Sequence, residues 1–274
     1  MNRSPWLGAA LLGAMLLLAL WPSAWLVHDP LAQDLLRRLE SPSHEHWLGT
    51  DMLGRSVAAR VVMAASVSLG AALLASLAIC VLALLWGGAA AWAGGYGWRW
   101  LDSLLMRAAD VVMGFPTLVL ALALIGIAGP SLPAVLAALI VAWVPGLARV
   151  VRTLAQQALA REFVHAARLS GLSEAATLRR HVLPQLLPPL LVLASLETAG
   201  VLLALSSLSF LGLGVQPPAP EWGAMLNEAR PFIDTAPHLL LGPGVAVLVA
   251  TLAFNLVGEG LRGRFDTRAP SRGW

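Results

Sequence analysis

Residues 162–184 read EFVHAARLSGLSEAATLRRHVLP, a polar stretch that lies between two long apolar runs. Glu162–Ser170 consists mainly of helix-forming residues, and Gly171 follows where the end of a helix needs a residue that takes a positive φ. Ser173 is suited to cap a second helix, and Pro184 is expected to end it. The stretch therefore predicts two short helices that are joined at Gly171.

The composition outside this stretch is typical of a membrane protein. Apolar residues make up 58% of the chain and charged residues only 12%, with a mean hydropathy of +0.75. A soluble domain carries about twice that share of charge. A spanning helix needs about 20 apolar residues. The segments that satisfy this are 5–27, 65–95, 104–128, 132–150, 186–213 and 238–258. We expect an all-α integral membrane protein with about six transmembrane helices.

The arginines predict the orientation of these helices. With both termini inside, thirteen of the 18 arginines fall on the cytoplasmic side, and the stretch 162–184 is among the segments that carry them. Cytoplasmic loops of membrane proteins are rich in basic residues, so an N-in, C-in arrangement is favoured. The later part of the first external segment, Ser56–Ser68, has short apolar side chains and is expected to form an interfacial helix.

The paired helices resemble a known motif. Ala166-Ala167, three residues, Gly171, and nine residues before His181-Val182-Leu183-Pro184 are similar to the EAA loop of ABC-importer membrane subunits. His165 stands where the family usually has glutamate. In that family the loop inserts, as a coupling helix, into a groove on a separate ATPase. The resemblance implies that coupling involves Glu162, His165, Ala166, Ala167, Gly171, Leu183 and Pro184.

Three further segments resemble the dipeptide, oligopeptide and nickel permeases within that family. Residues 47–55 read WLGTDMLGR, residues 208–215 read LSFLGLGV and are followed by EWGAM at 221–225, and residues 253–258 read AFNLVG. The four signatures occur in order over nearly the whole chain. The signature residues outside the coupling loop are Gly49, Thr50, Asp51, Gly54, Arg55, Phe210, Gly212, Gly214, Trp222, Gly223 and Asn255.

The resemblance implies a type I ABC importer permease with cytoplasmic coupling helices, in a bacterial inner membrane. Residues 1–27 would form an N-terminal transmembrane helix, 28–64 an external loop, 65–258 the permease core with its coupling loop at about 151–184, and 259–274 a cytoplasmic tail. The implied partners are a second homologous permease, two cytoplasmic ATPases, an external solute-binding protein and the lipid bilayer. Several stretches, including 46–51, are closer to nickel-type permeases, which favours nickel, free or chelated, ahead of peptides.

The residues themselves argue against an enzyme and against nucleic-acid binding. All basic residues are arginines, and a Walker A motif needs a lysine on the phosphates, so ATP would be used by a partner subunit and no cofactor is expected in this chain. No basic face with interleaved aromatics is present. His44, Glu45 and His46 are adjacent in a loop and do not form a closed coordination shell, so no metal site is predicted.

Glu197 is the one acidic residue within the fifth apolar run, 186–213. A carboxylate at membrane depth costs a few kcal/mol and usually faces a cavity or another protein group. Glu197 is therefore either a residue of the translocation path or half of a structural pair with an arginine or hydroxyl. In an alternative reading, the chain is an ion-coupled secondary transporter with Glu197 as its coupling acid.

Overall fold

The computed structural model describes residues 4–26 and 28–265, and its regular structure there is helical except for one isolated bridge between Thr50 and Ser56. The helices are α1 (Ser4–Leu20), α2 (Pro22–Trp25), α3 (Val57–Gly95), α4 (Arg99–Met113), α5 (Thr117–Ala128), α6 (Leu132–Leu159), α7 (Glu162–Leu169), α8 (Glu174–Thr177), α9 (Leu183–Phe210), α10 (Trp222–Ala229) and α11 (His238–Phe265). Short 3₁₀ turns occupy Leu35–Arg37 and Arg230–Phe232, and Leu178–Val182 is π-helical.

Four helices in the described part of the chain are long and apolar enough to cross a membrane. They are α3, α6, the continuous run Glu174–Phe210 formed by α8, the π turn and α9, and α11. These correspond to the second, fourth, fifth and sixth predicted spans, and each helix extends beyond its predicted segment at one or both ends. The all-helical membrane fold is confirmed.

The first and third predicted spans are interrupted. The segment 5–27 contains a helix of only 17 residues that ends at Leu20, because Trp21 precedes Pro22 and takes a non-helical conformation. Residue 27 lies outside the described part of the chain. The segment 104–128 is a broken pair, with α4 and α5 bent by 85° where Phe115 precedes Pro116. Among residues 4–26 and 28–265 there are thus four spans, or five with the bent pair.

The helix predicted at Ser56–Ser68 is present, but it is the beginning of α3 and not a separate element. The Ser56 hydroxyl accepts a hydrogen bond from the backbone N–H of Ala59 and so caps α3, which then runs without a break to Gly95. Nothing in residues 57–68 interrupts a helix, since neither glycine nor proline occurs there. These residues are simply the first turns of α3.

The core consists of two apolar clusters that share α3. One joins α3 to α5, α6 and α9, and the other joins α3 to α9, α10 and α11, with α1 packed against it. The buried side of α3 is rich in small residues, among them Ala64, Ala72, Ala75 and Ala83. Small side chains let membrane helices approach closely. α3 is therefore the central helix of the bundle.

Candidate functional site

The predicted helix–turn–helix is present between α6 and α9. α7 ends in a Schellman motif, in which Leu172 N–H donates to the Ala167 carbonyl at 3.2 Å and Gly171 N–H donates to the Arg168 carbonyl at 3.0 Å. Gly171 has the positive φ of 81° that this motif requires. The Ser173 hydroxyl then caps α8 by accepting from Ala176 N–H at 3.3 Å. The turn at Gly171 and the cap at Ser173 are confirmed.

The expected end of the second helix at Pro184 is wrong. The chain passes from α8 through the π-helical residues Leu178–Val182 directly into α9, and Leu183 N–H donates to the carbonyl of Leu178, five residues earlier. A π turn widens the helix locally, and Pro184 occupies one of the first two positions of α9, where proline is tolerated. The second arm of the hairpin is thus the end of a spanning helix.

The outer face of this hairpin is free in the described structure. Leu169 has 90% of its side chain exposed and Phe163 has 42%, whereas Val164 is fully buried against the bundle. The predicted coupling residues Glu162, His165 and Ala166 lie on the exposed side. The other predicted coupling residues are Ala167, Gly171, Leu183 and Pro184, of which Ala167 and Leu183 are half-buried. The hairpin therefore presents both apolar and polar side chains to a partner.

The hairpin is anchored to the turn between α3 and α4. The guanidinium of Arg168 lies 5.0 Å from the centre of the Tyr96 ring and donates to its hydroxyl at 2.7 Å, and Arg168 Nε is 3.6 Å from Glu174 across the turn. This pair was not predicted from the sequence. Tyr96 is the one tyrosine of the chain and lies 72 positions from Arg168, so no local pattern links the two.

At the opposite end of the bundle, four charged side chains form a closed network, which we call the external charge cluster. Asp51 Oδ2 accepts from Arg55 Nε and from Arg60 Nη1, each at 2.7 Å. Glu228 Oε2 accepts from Arg60 Nη1 at 2.6 Å and from Arg55 Nη2 at 3.0 Å. Asp51 and Arg55 are only four positions apart in the WLGTDMLGR segment, where a pair is expected from the sequence, and the pair is present. The contributions of Arg60 and Glu228 were not predicted.

A second buried group joins α10 to α3. Glu221 is fully buried, accepts from the Ser68 hydroxyl at 3.1 Å and caps α10 by accepting from Ala224 N–H at 2.9 Å. Trp222 donates from its backbone to Ser68 at 3.1 Å and from its indole to the Val61 carbonyl at 3.0 Å. The EWGAM segment is thus held against the first turns of α3, although the two are more than 150 positions apart in sequence.

Among the remaining signature residues, two glycines allow close packing. A Cβ on Gly223 would lie 2.7 Å from the Cα of Ser206, and one on Gly214 would lie 2.8 Å from the Cβ of Ser209, so both glycines permit close contact with α9. Phe210 is the last residue of α9 and is followed at once by the turn containing Gly212. Asn255 is exposed on α11 and donates to the carbonyl of Thr251 at 3.0 Å.

Gly49, Thr50 and Gly54 shape the loop that carries the external charge cluster. Thr50 is fully buried and donates through its hydroxyl to the Arg37 carbonyl, while Gly49 and Gly54 have positive φ angles. These backbone positions bring Asp51 and Arg55 together.

Glu197 is half-buried on α9. Within residues 4–26 and 28–265, no arginine lies within 4.0 Å of its carboxylate, so the structural ion pair considered for it is not found there.

Glu45, in the middle of the loop at His44–His46, is already engaged with its neighbours. Arg37 forms a bidentate pair with Glu45 at 2.5 and 2.7 Å, and this hydrogen bonding lowers the pKa of Glu45 to about 2. His28 Nε2 is 2.9 Å from the Glu45 carbonyl. In the described part of the chain, no three His, Cys, Asp or Glu side chains are grouped in a way that could hold a metal ion.

Comparison with known families agrees with this arrangement. Residues 83–269 match the family described as binding-protein-dependent transport system inner membrane component. The chain belongs to this family. The match includes the hairpin, α9, α10 and α11, so the coupling loop and the later signature segments lie inside it. The chain is thus a multi-pass membrane permease of an ABC importer, a class of transporter that works with an ATPase and a substrate-binding protein.

Curated members of the family align over most of the chain. The nickel transport system permease protein NikC of Escherichia coli K12 is 41% identical over 260 residues, covering 95% of this chain and 92% of that protein. The dipeptide permease DppC of Alkalihalophilus pseudofirmus is 39% identical and covers 85% and 76%, respectively. The glutathione permease GsiD of Pectobacterium atrosepticum is 39% identical and covers 87% and 78%.

A solved structure has the same fold. The MetNI methionine ABC transporter, in an inward-facing conformation, contains a chain that superposes with a TM-score of 0.59. The superposition covers 72% of this chain and 92% of that chain, at 15% identity. This similarity supports the fold of an ABC importer permease.

Proposed function

We propose that this permease forms half of a translocation pathway in a bacterial inner membrane and pairs with a second, homologous permease. Two cytoplasmic ATPases and an external solute-binding protein would complete the transporter. ATP would bind to the ATPases, and this chain would bind no cofactor. Its role would be to change conformation between outward-facing and inward-facing states when the ATPases close.

The observation that carries this proposal is the exposed hairpin at Gly171. It joins the ends of two spanning helices, α6 and α9, and its outer face carries exposed Leu169 and Phe163. A partner that moved this hairpin would therefore move both spans. The anchoring of Arg168 on Tyr96 extends the moving unit to the end of α3.

Affinity purification in mild detergent, with mass spectrometry of the captured proteins, tests the architecture. We expect an ABC ATPase and a second permease to accompany the chain. A variant with Leu169→Glu and Phe163→Glu should insert normally and lose the ATPase while retaining the second permease. Purification of the wild-type chain alone, as a stable homo-oligomer, would contradict the proposal and favour a secondary carrier.

We infer that nickel, free or chelated, is the transported solute ahead of dipeptides and oligopeptides. The support is the similarity of the stretch 46–51 to nickel-type permeases and the 41% identity to NikC over 95% of the chain. The 39% identity to peptide permeases makes peptides the direct competitor. Titration of the accompanying binding protein with nickel salts, nickel chelates and dipeptides decides between them, and binding of dipeptides alone would reverse our assignment.

We propose Glu197 as a residue of the pathway. Its carboxylate is half-buried at membrane depth without an arginine partner among the described residues, a position that suits contact with a passing polar solute. Glu197→Gln is expected to insert at wild-type levels and to lose uptake. Loss of insertion with the same variant would assign Glu197 a structural role.

A further inference from the structure

A polar cavity of about 460 Å³ lies between α4 and α6. Two acidic and three basic side chains line it: Asp102, Arg107, Asp110, Arg149 and Arg152. It differs from the larger cavity of about 620 Å³ beside the hairpin, whose lining is mainly apolar, with Leu84, Trp92 and Leu186 among its residues. An apolar groove at membrane depth is filled by lipid chains, whereas a charged cavity needs water or a polar ligand.

The charged side chains in this polar cavity differ in how firmly neighbouring groups hold them. Arg152 holds Asp102 through two hydrogen bonds of 2.6 Å, and the Asp102 side chain is only 11% exposed, so this pair is part of the helix packing. Arg149 pairs with Asp110, and both side chains are about half exposed, at 46% and 53%. Arg107 is exposed and forms no ion pair within the described residues.

The cavity lies at the inner ends of the spans that line it. Arg149 is the last residue but one of the apolar segment 132–150, and Arg107 and Asp110 lie in the first turns of the apolar segment 104–128. The orientation predicted from the arginines places these ends of α4 and α6 on the cytoplasmic side. A solute that leaves the pathway toward the cytoplasm would therefore pass these charges last.

The balance of charge indicates the class of ligand. The three arginines and two aspartates give a net charge of +1, and the unpaired group is a guanidinium. Guanidinium groups bind carboxylates through two parallel hydrogen bonds. A bare divalent cation finds no free carboxylate here, since Asp102 and Asp110 are both paired with arginines.

We propose that this cavity is a station on the transport pathway that binds the carboxylate group of the solute, with Arg107 as the primary contact and the exposed Arg149–Asp110 pair beside it. The inference rests on the proposed function and narrows its substrate class. Short peptides carry this group at their C-terminus, and organic chelators carry it around a metal ion. If nickel is the cargo, it passes this station as a carboxylate chelate rather than as the free ion.

Thiol labelling tests whether the cavity is open and electropositive without any assumption about the solute. Ser103 lines the cavity, and Leu104, the next residue, is 56% exposed but lies outside it. Each is replaced by cysteine in a Cys80→Ala background. The assembled transporter, in inside-out membrane vesicles, is treated with anionic and cationic methanethiosulfonate reagents, with rates normalised to a free thiol.

We expect Ser103→Cys to react at least ten-fold faster than Leu104→Cys, and to prefer the anionic reagent several-fold. Adding Arg107→Gln should remove that preference while leaving the site reactive. Equal, slow labelling of both cysteines would show that the second permease or lipid fills the cavity and would overturn the proposal. A preference for the cationic reagent would overturn it as well.

Uptake into proteoliposomes identifies the source of the carboxylate. Arg107→Gln should lower uptake of alanyl-alanine or of nickel citrate about ten-fold, while stimulation of the ATPase by the loaded binding protein stays at the wild-type level. Arg99→Gln, on the same helix but outside the cavity, serves as the matched control and should transport normally. Alanyl-alanine amide and nickel chloride serve as the comparison solutes that carry no carboxylate.

The outcomes separate this inference from the proposed function. A wild-type complex that lacks an ATPase contradicts the proposed function, whatever the labelling shows. A wild-type complex that transports alanyl-alanine or nickel citrate, with Arg107→Gln equally active, contradicts the carboxylate station alone. Uptake of nickel chloride at the same rate as nickel citrate, unaffected by Arg107→Gln, also overturns it.

Discussion

The two ends of this permease hold their charged residues in opposite ways. In the external charge cluster, Arg55 and Arg60 are 3% and 1% exposed, and both are paired with Asp51 and Glu228. At the other end, the hairpin of α7 and α8 exposes most of its polar residues and keeps only Val164 and Thr177 buried. At one end the charged side chains pair with one another, and at the other end the surface stays exposed and can bind a partner.

This difference suits the two ends of the permease to different roles. Buried ion pairs add little net stability, because desolvation offsets their attraction, but breaking one leaves an uncompensated charge. The external end is therefore intolerant of change and well suited to hold α3 and α10 in one arrangement. The hairpin has few buried contacts of its own, so it is free to follow a partner while its anchors transmit the motion.

The largest effect is expected from Asp51→Asn, which breaks the external charge cluster. The variant leaves Arg55 and Arg60 with one shared carboxylate in a buried site, at a cost of about 3–5 kcal/mol of folding free energy. Thermal aggregation of the detergent-solubilised complex, followed by size-exclusion chromatography, measures the loss. Asp234→Asn removes the same charge from an exposed position and should not change the midpoint. Equal midpoints for the two variants would contradict the rigid external end.

A smaller effect on folding, but a large one on coupling, is expected at Gly171. Valine strains the left-handed backbone by roughly 1–2 kcal/mol, whereas asparagine tolerates this conformation. No atom of the described structure lies within 4 Å of a Cβ at this position, so crowding does not enter. Gly171→Val should insert normally and lose most of its uptake per ATP hydrolysed, and Gly171→Asn should retain most of it. Full activity of Gly171→Val would remove the turn from the coupling mechanism.

The anchor of the hairpin is expected to contribute less. Tyr96→Phe keeps the ring under Arg168 and loses only the hydroxyl, whereas Tyr96→Leu loses both contacts, each worth about 0.5–1 kcal/mol. We therefore expect uptake per ATP to fall slightly in Tyr96→Phe and several-fold in Tyr96→Leu. Identical coupling in the wild type and Tyr96→Leu would show that the anchor transmits no motion.

The smallest effect is expected for the exposed Arg37–Glu45 pair. The Glu45 pKa is lowered from 4.5 to about 2, so its pairing stabilises the folded loop above pH 4.5 and is lost as the pH falls toward 2. Thermal midpoints of the wild type and Glu45→Gln should differ slightly and by a constant amount from pH 5 to 8. The difference should shrink below pH 4.5, and a difference that grew there would reverse the sign of this interaction.

The sequence allowed the features that depend on near neighbours to be predicted. The turn at Gly171 and the cap at Ser173 follow from the conformations available to those two residues, and the Asp51–Arg55 pair spans only four positions. The apolar runs predicted four of the spans because hydrophobic length is a local property. The break at Pro116 could also have been predicted locally, because the residue before a proline disfavours the helical conformation, but it was not.

Other features arise only when distant segments meet. Arg60 and Glu228 are separated by 168 positions, and Arg168 and Tyr96 by 72, so no local pattern pairs them. The cavity between α4 and α6 likewise exists because a bent pair of helices packs against α6. The π turn before Pro184 forms because α8 continues into α9. The proline, taken alone, had predicted that the helix ends there.

The sequence by itself determined an all-helical membrane permease with a hairpin at Gly171, because backbone conformation and hydrophobic length are properties of neighbouring residues. Only the tertiary structure decided which charges are neutralised and which remain free. Pairing depends on the packing of helices from distant parts of the chain, which buries Arg60 between two carboxylates and leaves Arg107 in an open cavity.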